Sequence, residues 1–503
     1  MQTINHRQFA LAGTLMIASL GVCQSLAQDP AQVSGNGIVL DGDLREWPQG
    51  AAAVADDRWM YFRYDADEPL SIQSGPVMTV LQIDVDSDKS TGHVEAGSDL
   101  GIDLEISMTM LDTRDPSVLG GGIEISAFGA NESHEALTHM DIGFSSLPTH
   151  AARSFEIRLA RELAGPGWLE RMSKATTGIR FRYIHRDELF STTWAGEATS
   201  IEMPPLTSGR ERFEVKIPSK SADSLRVVSW NVLWGTPSKQ PDGFARTLRT
   251  LNPDVILFQE WDKGYWTNEP RITEREYVTW LNTNLGDGPW SVMIGAERGV
   301  LIASRSGMSR FMPAKFSVKA DRKAGIRRDR EVRCASALVD TPLGSVGAVS
   351  MHLKSRGGLD SREDRIRFAE VGAVHDALKS TMASKKPDFL VIAGDWNLVG
   401  GRAPLEHAID GIDFDGSDLF VVEPRRLGSG DAITWRDQRS TFAPGRLDYA
   451  LVADDGIEVV RAFVLDTTLL DDASLRRAGL HQRDTDDSDH LPLVIDLRRG
   501  GKH

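Results

Sequence analysis

The chain has 503 residues, too many for one hydrophobic core, so at least two domains are expected. Hydrophobic residues make up 41% and charged residues 26%, which excludes a globally disordered chain. The formal net charge of −15 argues against a protein that coats nucleic acid nonspecifically.

Reading from the N-terminus, His6 and Arg7 precede an apolar run from Phe9 to Val22, followed by Ser25-Leu26-Ala27. This is the order of an export signal with a small-x-small cleavage site, so residues 1–27 are read as a signal peptide cut after Ala27. The run is shorter than the ~20 residues a spanning helix needs, and a secreted or periplasmic location is expected without a transmembrane segment in the mature chain. Removal of the signal takes Cys23 with it and leaves Cys334 alone, so no internal disulfide is expected.

Residues 36–205 carry short alternating segments, WMYFRY, VMTVLQIDVD, LGIDLEISM and GIRFRYIH, separated by Gly, Pro, Asp and Ser clusters. Such a pattern predicts an antiparallel β-sandwich. Within it Asp84, Asp86 and Asp88 alternate after a strand, a hard-oxygen arrangement suited to Ca2+, with an acidic solvated hairpin as the alternative. Trp47 and Trp59 are read as core side chains rather than sugar-stacking platforms. The segment opens on GIVLDGDLREW and later contains IDVDSDKSTG. Both phrases resemble the family 9 carbohydrate-binding-like modules, and that resemblance implies an extracellular polymer as a possible ligand of this region.

Residues 206–223 lack an apolar period and read as a linker. Residues 224–499 then alternate strands with helices, the latter near Phe244–Leu251 and Glu363–Ser380, as expected for an α/β domain whose sheets are buried on both faces. Six apolar runs in this part end on a polar signature: Asn231 after RVVSW, Glu260 after DVILFQ, His352 in AVSMHLKS, Asp395 and Asn397 in FLVIAGDWN, Asp448 in GRLDY, and Asp489 with His490 in DSDHLPLVIDL. Carboxylates, amides and imidazoles at strand ends are the components of a metal-assisted hydrolytic site. Oxygen ligands favour Mg2+, Mn2+ or Ca2+ over zinc. Asp489 and His490 are adjacent and should serve different partners, since successive strand residues face opposite ways.

This set of signatures, in this order, resembles the endonuclease/exonuclease/phosphatase superfamily, the deoxyribonuclease-I-like fold. The resemblance implies a four-layer domain of two packed β-sheets flanked by helices, and phosphoester hydrolysis by activated water. It implies metal ligation by Glu260, Asp489 and Asn231. It implies a general base at His490 held by Asp448, with His352, Asp395 and Asn397 completing the catalytic set and Asp395 competing for the base role. The cofactor implied is Mg2+ or Mn2+, and the substrate a nucleic acid, a phospholipid or an inositol phosphate.

Between the Glu260 and His352 signatures, Lys315–Arg333 is dense in Lys and Arg, which suits a polyanion, with Arg330 and Arg333 as candidate phosphate contacts. A solvated loop balancing an acidic protein is the alternative. Three functions are carried forward: a phosphodiesterase or nuclease, a phosphatase or lipid phosphodiesterase of the same fold, and a non-catalytic extracellular binding protein.

Overall fold

The alternation in WMYFRY sorts its side chains between two sides of one strand: Met60, Phe62 and Tyr64 enter the main N-terminal core, whereas Tyr61 packs with Ile38 and Trp47. The computed structural model describes residues 37–75, 77–112, 115–129, 134–161, 178–205, 212–262, 270–286, 288–297 and 299–500. The expected signal peptide and part of the expected linker lie outside them. Among the described residues, no helix is long and apolar enough to cross a membrane.

The N-terminal domain is an antiparallel β-sandwich. One sheet orders the strands Ala53–Ala55, Trp59–Leu70, Ala152–Ala160 and Ser145–Leu147. The other runs from Thr192–Ala195 through Ile179–Arg186, Met78–Asp84, Leu104–Ser107 and Glu124–Phe128 to His134–Leu137, with Thr199–Ile201 also paired to Ile179–Arg186. Phe62 from the first sheet meets Phe181 from the second edge-to-face, 5.0 Å between ring centres. Trp47 is buried, its indole N–H donating to Glu156 at 2.6 Å. Trp59 is half-buried with the Arg158 guanidinium over its ring.

The C-terminal domain is a four-layer α/β sandwich. Its first sheet orders Ser291–Ile294, Leu301–Ser304, Val255–Gln259, Leu225–Asn231, Leu493–Arg499, Ile457–Val464 and Arg425–Arg426. Its second orders Gly307–Arg310, Cys334–Thr341, Gly344–His352, Phe389–Asp395, Asp448–Val452 and Phe420–Val421. Burial of both faces, alternate side chains entering the inner and outer cores, explains why the strands read as continuous apolar runs. Val255 and Leu257 face the space between the sheets, and Ile256 and Phe258 face the outer core beneath the helix Pro241–Leu251. Phe389, Val391 and Ala393 likewise face inward, while Leu390 and Ile392 pack under the helix Arg362–Met382. That helix starts at a Ser361 side chain accepting the Asp364 N–H. The helix Pro241–Leu251 starts on a proline, whose missing N–H costs nothing there.

Residues 212–223, expected as a linker, lie against the C-terminal domain: Phe213 and Val215 are buried in its outer core. The two domains share a polar interface. Arg158 of the sandwich reaches Asp431 at 2.9 Å, and both side chains are buried. Asp431 also holds Arg426 at 2.7 Å, Arg426 holds Asp466 at 3.0 Å, and Asp466 holds Arg436 at 2.9 Å. Ala151 N–H donates to Gly400 O, and the Ser71 hydroxyl donates to Val399 O while accepting the Leu359 N–H. The sandwich thus braces the loops that follow two of the polar strand ends.

Candidate active site

Parallel and antiparallel pairing together place the polar strand ends at one edge. Asn231 lies beside Gln259, the residue before Glu260; His352 lies beside Asp395, and Asp395 beside Asp448. Leu493 pairs with Ser229, which brings the preceding Asp489-His490 turn to the same edge. Beneath it, Gln259 bridges the sheets through the Ser350 hydroxyl at 2.9 Å.

Glu260 leaves its strand in a left-handed conformation, φ 57°, and Asn397 does so at φ 47°. Left-handed backbone at non-glycine residues is uncommon and gathers at functional sites. Gly394, at φ 151°, is required for close approach: a Cβ there would stand 1.9 Å from Met351 O.

Asp395 is the hub. Its Oδ2 accepts from Asn397 Nδ2 at 2.8 Å and Asn231 Nδ2 at 3.2 Å, and its Oδ1 from the Asn397 N–H at 2.9 Å. His352 Nε2 lies 3.4 Å from Asp395 Oδ2 and 3.4 Å from Glu260 Oε1, and His490 Nε2 lies 3.6 Å from Asp395 Oδ2. The other nitrogen of His490, Nδ1, is 2.8 Å from Asp448 Oδ2. Thr434 fixes Asp448 by accepting its backbone N–H at 2.9 Å.

Burial dominates the titration of these groups, and the neighbours decide the rest. Glu260 is pushed up to about 7 by burial and by the negative Asp395. Asp395 is pushed up to about 6 by burial, against the pull of His490. Burial and the Arg333 guanidinium hold His352 well below the ordinary imidazole range, so it is neutral. Burial also disfavours charge on His490, yet Asp448 and Asp395 together outweigh it and raise the ring well above its ordinary value.

One ligand atom each from Glu260, His352 and Asp395 lies within 4.8 Å of the others, a group able to hold a metal ion. Glu260 Oε2 and Asp489 Oδ1 are buried with no hydrogen-bond partner among the described residues. Unpaired buried carboxylate oxygens are costly, and the donor set fits a divalent cation. Asn231 Oδ1 accepts the Leu233 N–H at 3.1 Å. Asp489 stands outside the compact group, its Oδ2 held by the Trp435 indole N–H at 3.0 Å. As expected for adjacent residues, Asp489 and His490 serve different partners.

Of the basic loop, Arg330 pairs with buried Glu370 at 2.8 Å, and Arg333 donates to Leu353 O next to His352. Lys315 and Lys319 pair with Glu331 and Asp329. Sequence reading missed Thr434 and Trp435, which position Asp448 and Asp489. They sit in DAITW, where no apolar run ends on a polar signature to single them out. In the sandwich, Asp88 turns its carboxylate onto Ser90 at 2.6 Å and stays exposed, whereas Asp84 and Asp86 gather with Asp103 instead.

The sequence profile of the Endonuclease/Exonuclease/phosphatase family matches residues 228–490, just over half of the 503-residue chain. The chain belongs to that family. Comparison with curated proteins finds no match. Among solved structures, this family member is similar to an endonuclease/exonuclease/phosphatase family protein from Leptotrichia buccalis, with 17% identity, TM-score 0.36, and coverage of 55% of this chain and 99% of that one. It is also similar to the human Nocturnin catalytic domain, with 16% identity, TM-score 0.34, and coverage of 56% and 96%. Sphingomyelinase C from Streptomyces griseocarneus aligns at 14% identity, TM-score 0.35, with coverage of 54% and 99%.

Proposed function

We propose that this protein is a divalent-metal-dependent phosphoester hydrolase, acting on phosphodiesters such as nucleic acids outside the cytoplasm, where the export signal read at residues 1–27 would deliver it. The observation that carries the reading is the meeting of Glu260, His352 and Asp395 within 4.8 Å beside an imidazole anchored to a buried carboxylate.

Once the negative charge of Asp395 that helps to raise His490 is offset by a bound cation, the neutral ring would take the proton of the attacking water at Nε2, and Asp448 fixes the ring through Nδ1 and stabilises the imidazolium that forms. Asp395, held by Asn397 and Asn231, orients that water in this reading. Asn231 and neutral His352 offer N–H groups to phosphoryl oxygens as negative charge grows. Glu260, with an unpaired oxygen inside the compact group, would hold the cation, Mg2+ or Mn2+, with Asp489 and Asn231 as further candidate ligands from beside it. When bound, the cation supplies charge stabilisation to the phosphoryl oxygens and leaving group. Arg333, next to His352, is the better candidate of the two arginines for a phosphate contact, because Arg330 is committed to Glu370. Arg322, Lys323, Arg327 and Arg328 show no ion pair among the described residues and suit a polyanion running past the site.

A second reading, a lipid phosphodiesterase, is favoured by one observation: Leu189, Phe190 and Trp194 stand exposed on the sandwich. A screen of plasmid DNA, RNA, sphingomyelin and inositol phosphates, with Mg2+, Mn2+ or chelator, separates the readings. Chelator-sensitive cleavage of polynucleotides supports the first, and turnover of sphingomyelin alone supports the second. No turnover of any phosphoester would leave the non-catalytic binding function.

A further inference from the structure

A second acidic group lies in the sandwich. One carboxylate oxygen from each of Asp84, Asp86 and Asp103 lies within 4.8 Å of the other two. The sheet brings them together: Asp84 closes the strand Met78–Asp84, and Asp103 immediately precedes its antiparallel neighbour Leu104–Ser107, with Ile83 opposite Leu104. Asp84 and Asp103 are fully buried. Asp84 Oδ2 accepts the Gly101 N–H at 3.3 Å, but its Oδ1, equally buried, meets no donor among the described residues. A buried carboxylate oxygen without a donor is unfavourable unless a cation completes it.

Backbone oxygens approach the same turn. A Cβ on Gly101 would stand 2.4 Å from Asp88 O and 2.5 Å from Thr91 O. Asp86 is steadied from the outer side, its Oδ1 accepting the Asp88 N–H and the Thr91 hydroxyl, both at 3.0 Å. We propose that Asp84, Asp86 and Asp103 bind a calcium ion, with backbone carbonyls of the loop 86–101 completing its shell. Calcium takes about six to eight oxygens from carboxylates and carbonyls in adaptable geometry, whereas magnesium keeps several waters and zinc favours nitrogen or sulfur. The ion joins two strands of the larger sheet and anchors the loop between them. That loop is tied to a third strand by Arg180, which pairs with Asp99.

The test uses the full chain carrying E260Q, which removes a carboxylate from the catalytic cluster, so that calcium binding in the sandwich is measured apart from the hydrolase reading. After chelation, equilibrium dialysis with radioactive calcium should find one ion per chain. At a hundred times Kd, calcium should raise the Tm of the single shared transition by roughly 3 °C and slow tryptic cleavage after Lys89. Adding D86N, at a half-buried position that tolerates an amide, should weaken binding at least tenfold and abolish the Tm shift. No bound calcium in E260Q, or the same affinity after D86N, overturns the assignment.

Discussion

The His490 ring is held between two carboxylates of different function: Nδ1 is 2.8 Å from Asp448 Oδ2, and Nε2 is 3.6 Å from Asp395 Oδ2. Because Asp448 opens its strand and Asp395 closes the neighbouring one in direct register, the imidazole orientation is set by the sheet rather than by a loop. Replacing Asp448 with Asn should therefore lower kcat by roughly 10²–10⁴-fold with little change in KM. Steady-state kinetics with a thermal melt checks this, and full activity in a folded D448N protein would remove the pair from the mechanism.

Glu260 illustrates a trade between stability and function. Burial and Asp395 push it up to about 7, so its charged form is unfavourable without a bound cation. E260Q should melt no lower than the parent in chelator, yet bind Mg2+ at least tenfold more weakly. Isothermal titration with melts in chelator reads both, and a large loss of chelator-state stability would contradict the account.

Most of this site could be read from sequence because each candidate side chain stands at one end of an apolar run, Asp448 and His490 at its start and the others at its close. A buried strand must stop being apolar where it meets solvent, so Asn231, Glu260, His352, Asp395 and His490 marked the edge before any topology was known. The helices near Phe244 and Glu363 were legible for the same periodic reason, and they extend to Pro241 and Met382. What periodicity could not reveal were contacts between distant segments. Asp431 and Arg158 are 273 positions apart, one in a loop and the other within a strand, with no repeating pattern to link them. Asp103 replaced Asp88 because strand pairing, not spacing along the loop, decides which carboxylates meet.

Gly394 should not tolerate a side chain. With a Cβ 1.9 Å from Met351 O, G394A must separate the parallel strands that carry His352 and Asp395. A loss of more than about 3 kcal/mol is expected from overpacking at a strained backbone position, measurable by urea unfolding. A neutral substitution would show that the strands can part freely.

The buried chain of charges gives an acid response. Burial alone would raise Asp466, but Arg436 and Arg426 hold it down at about 2. An Asp with a depressed folded-state value contributes stability that is complete above the unfolded value, near 3.8, and is lost as pH falls toward 2. The contribution is about 2 kcal/mol. D466N should lose it at neutral pH, with a further cost from the two arginines left short of a partner, and should flatten the acid limb between about pH 4 and 2. Chemical denaturation across that range decides it, and an unchanged acid limb would contradict the assignment.

The domain interface predicts shared unfolding. Arg158 and Asp431 are both buried at their contact, so R158A leaves a carboxylate short of one partner and should cost about 3 kcal/mol. Calorimetry should show one transition for the parent protein and two for R158A. Two well-separated transitions already present in the parent would show that the sandwich does not brace the site.

The most direct test of the central claim is cleavage of a polynucleotide and of a simple phosphodiester by the purified chain, with Mg2+, with chelator, and with H490A. Metal-dependent turnover that disappears in chelator and falls at least a thousandfold in folded H490A is the expected result. Turnover that survives both chelation and the loss of His490 would contradict it.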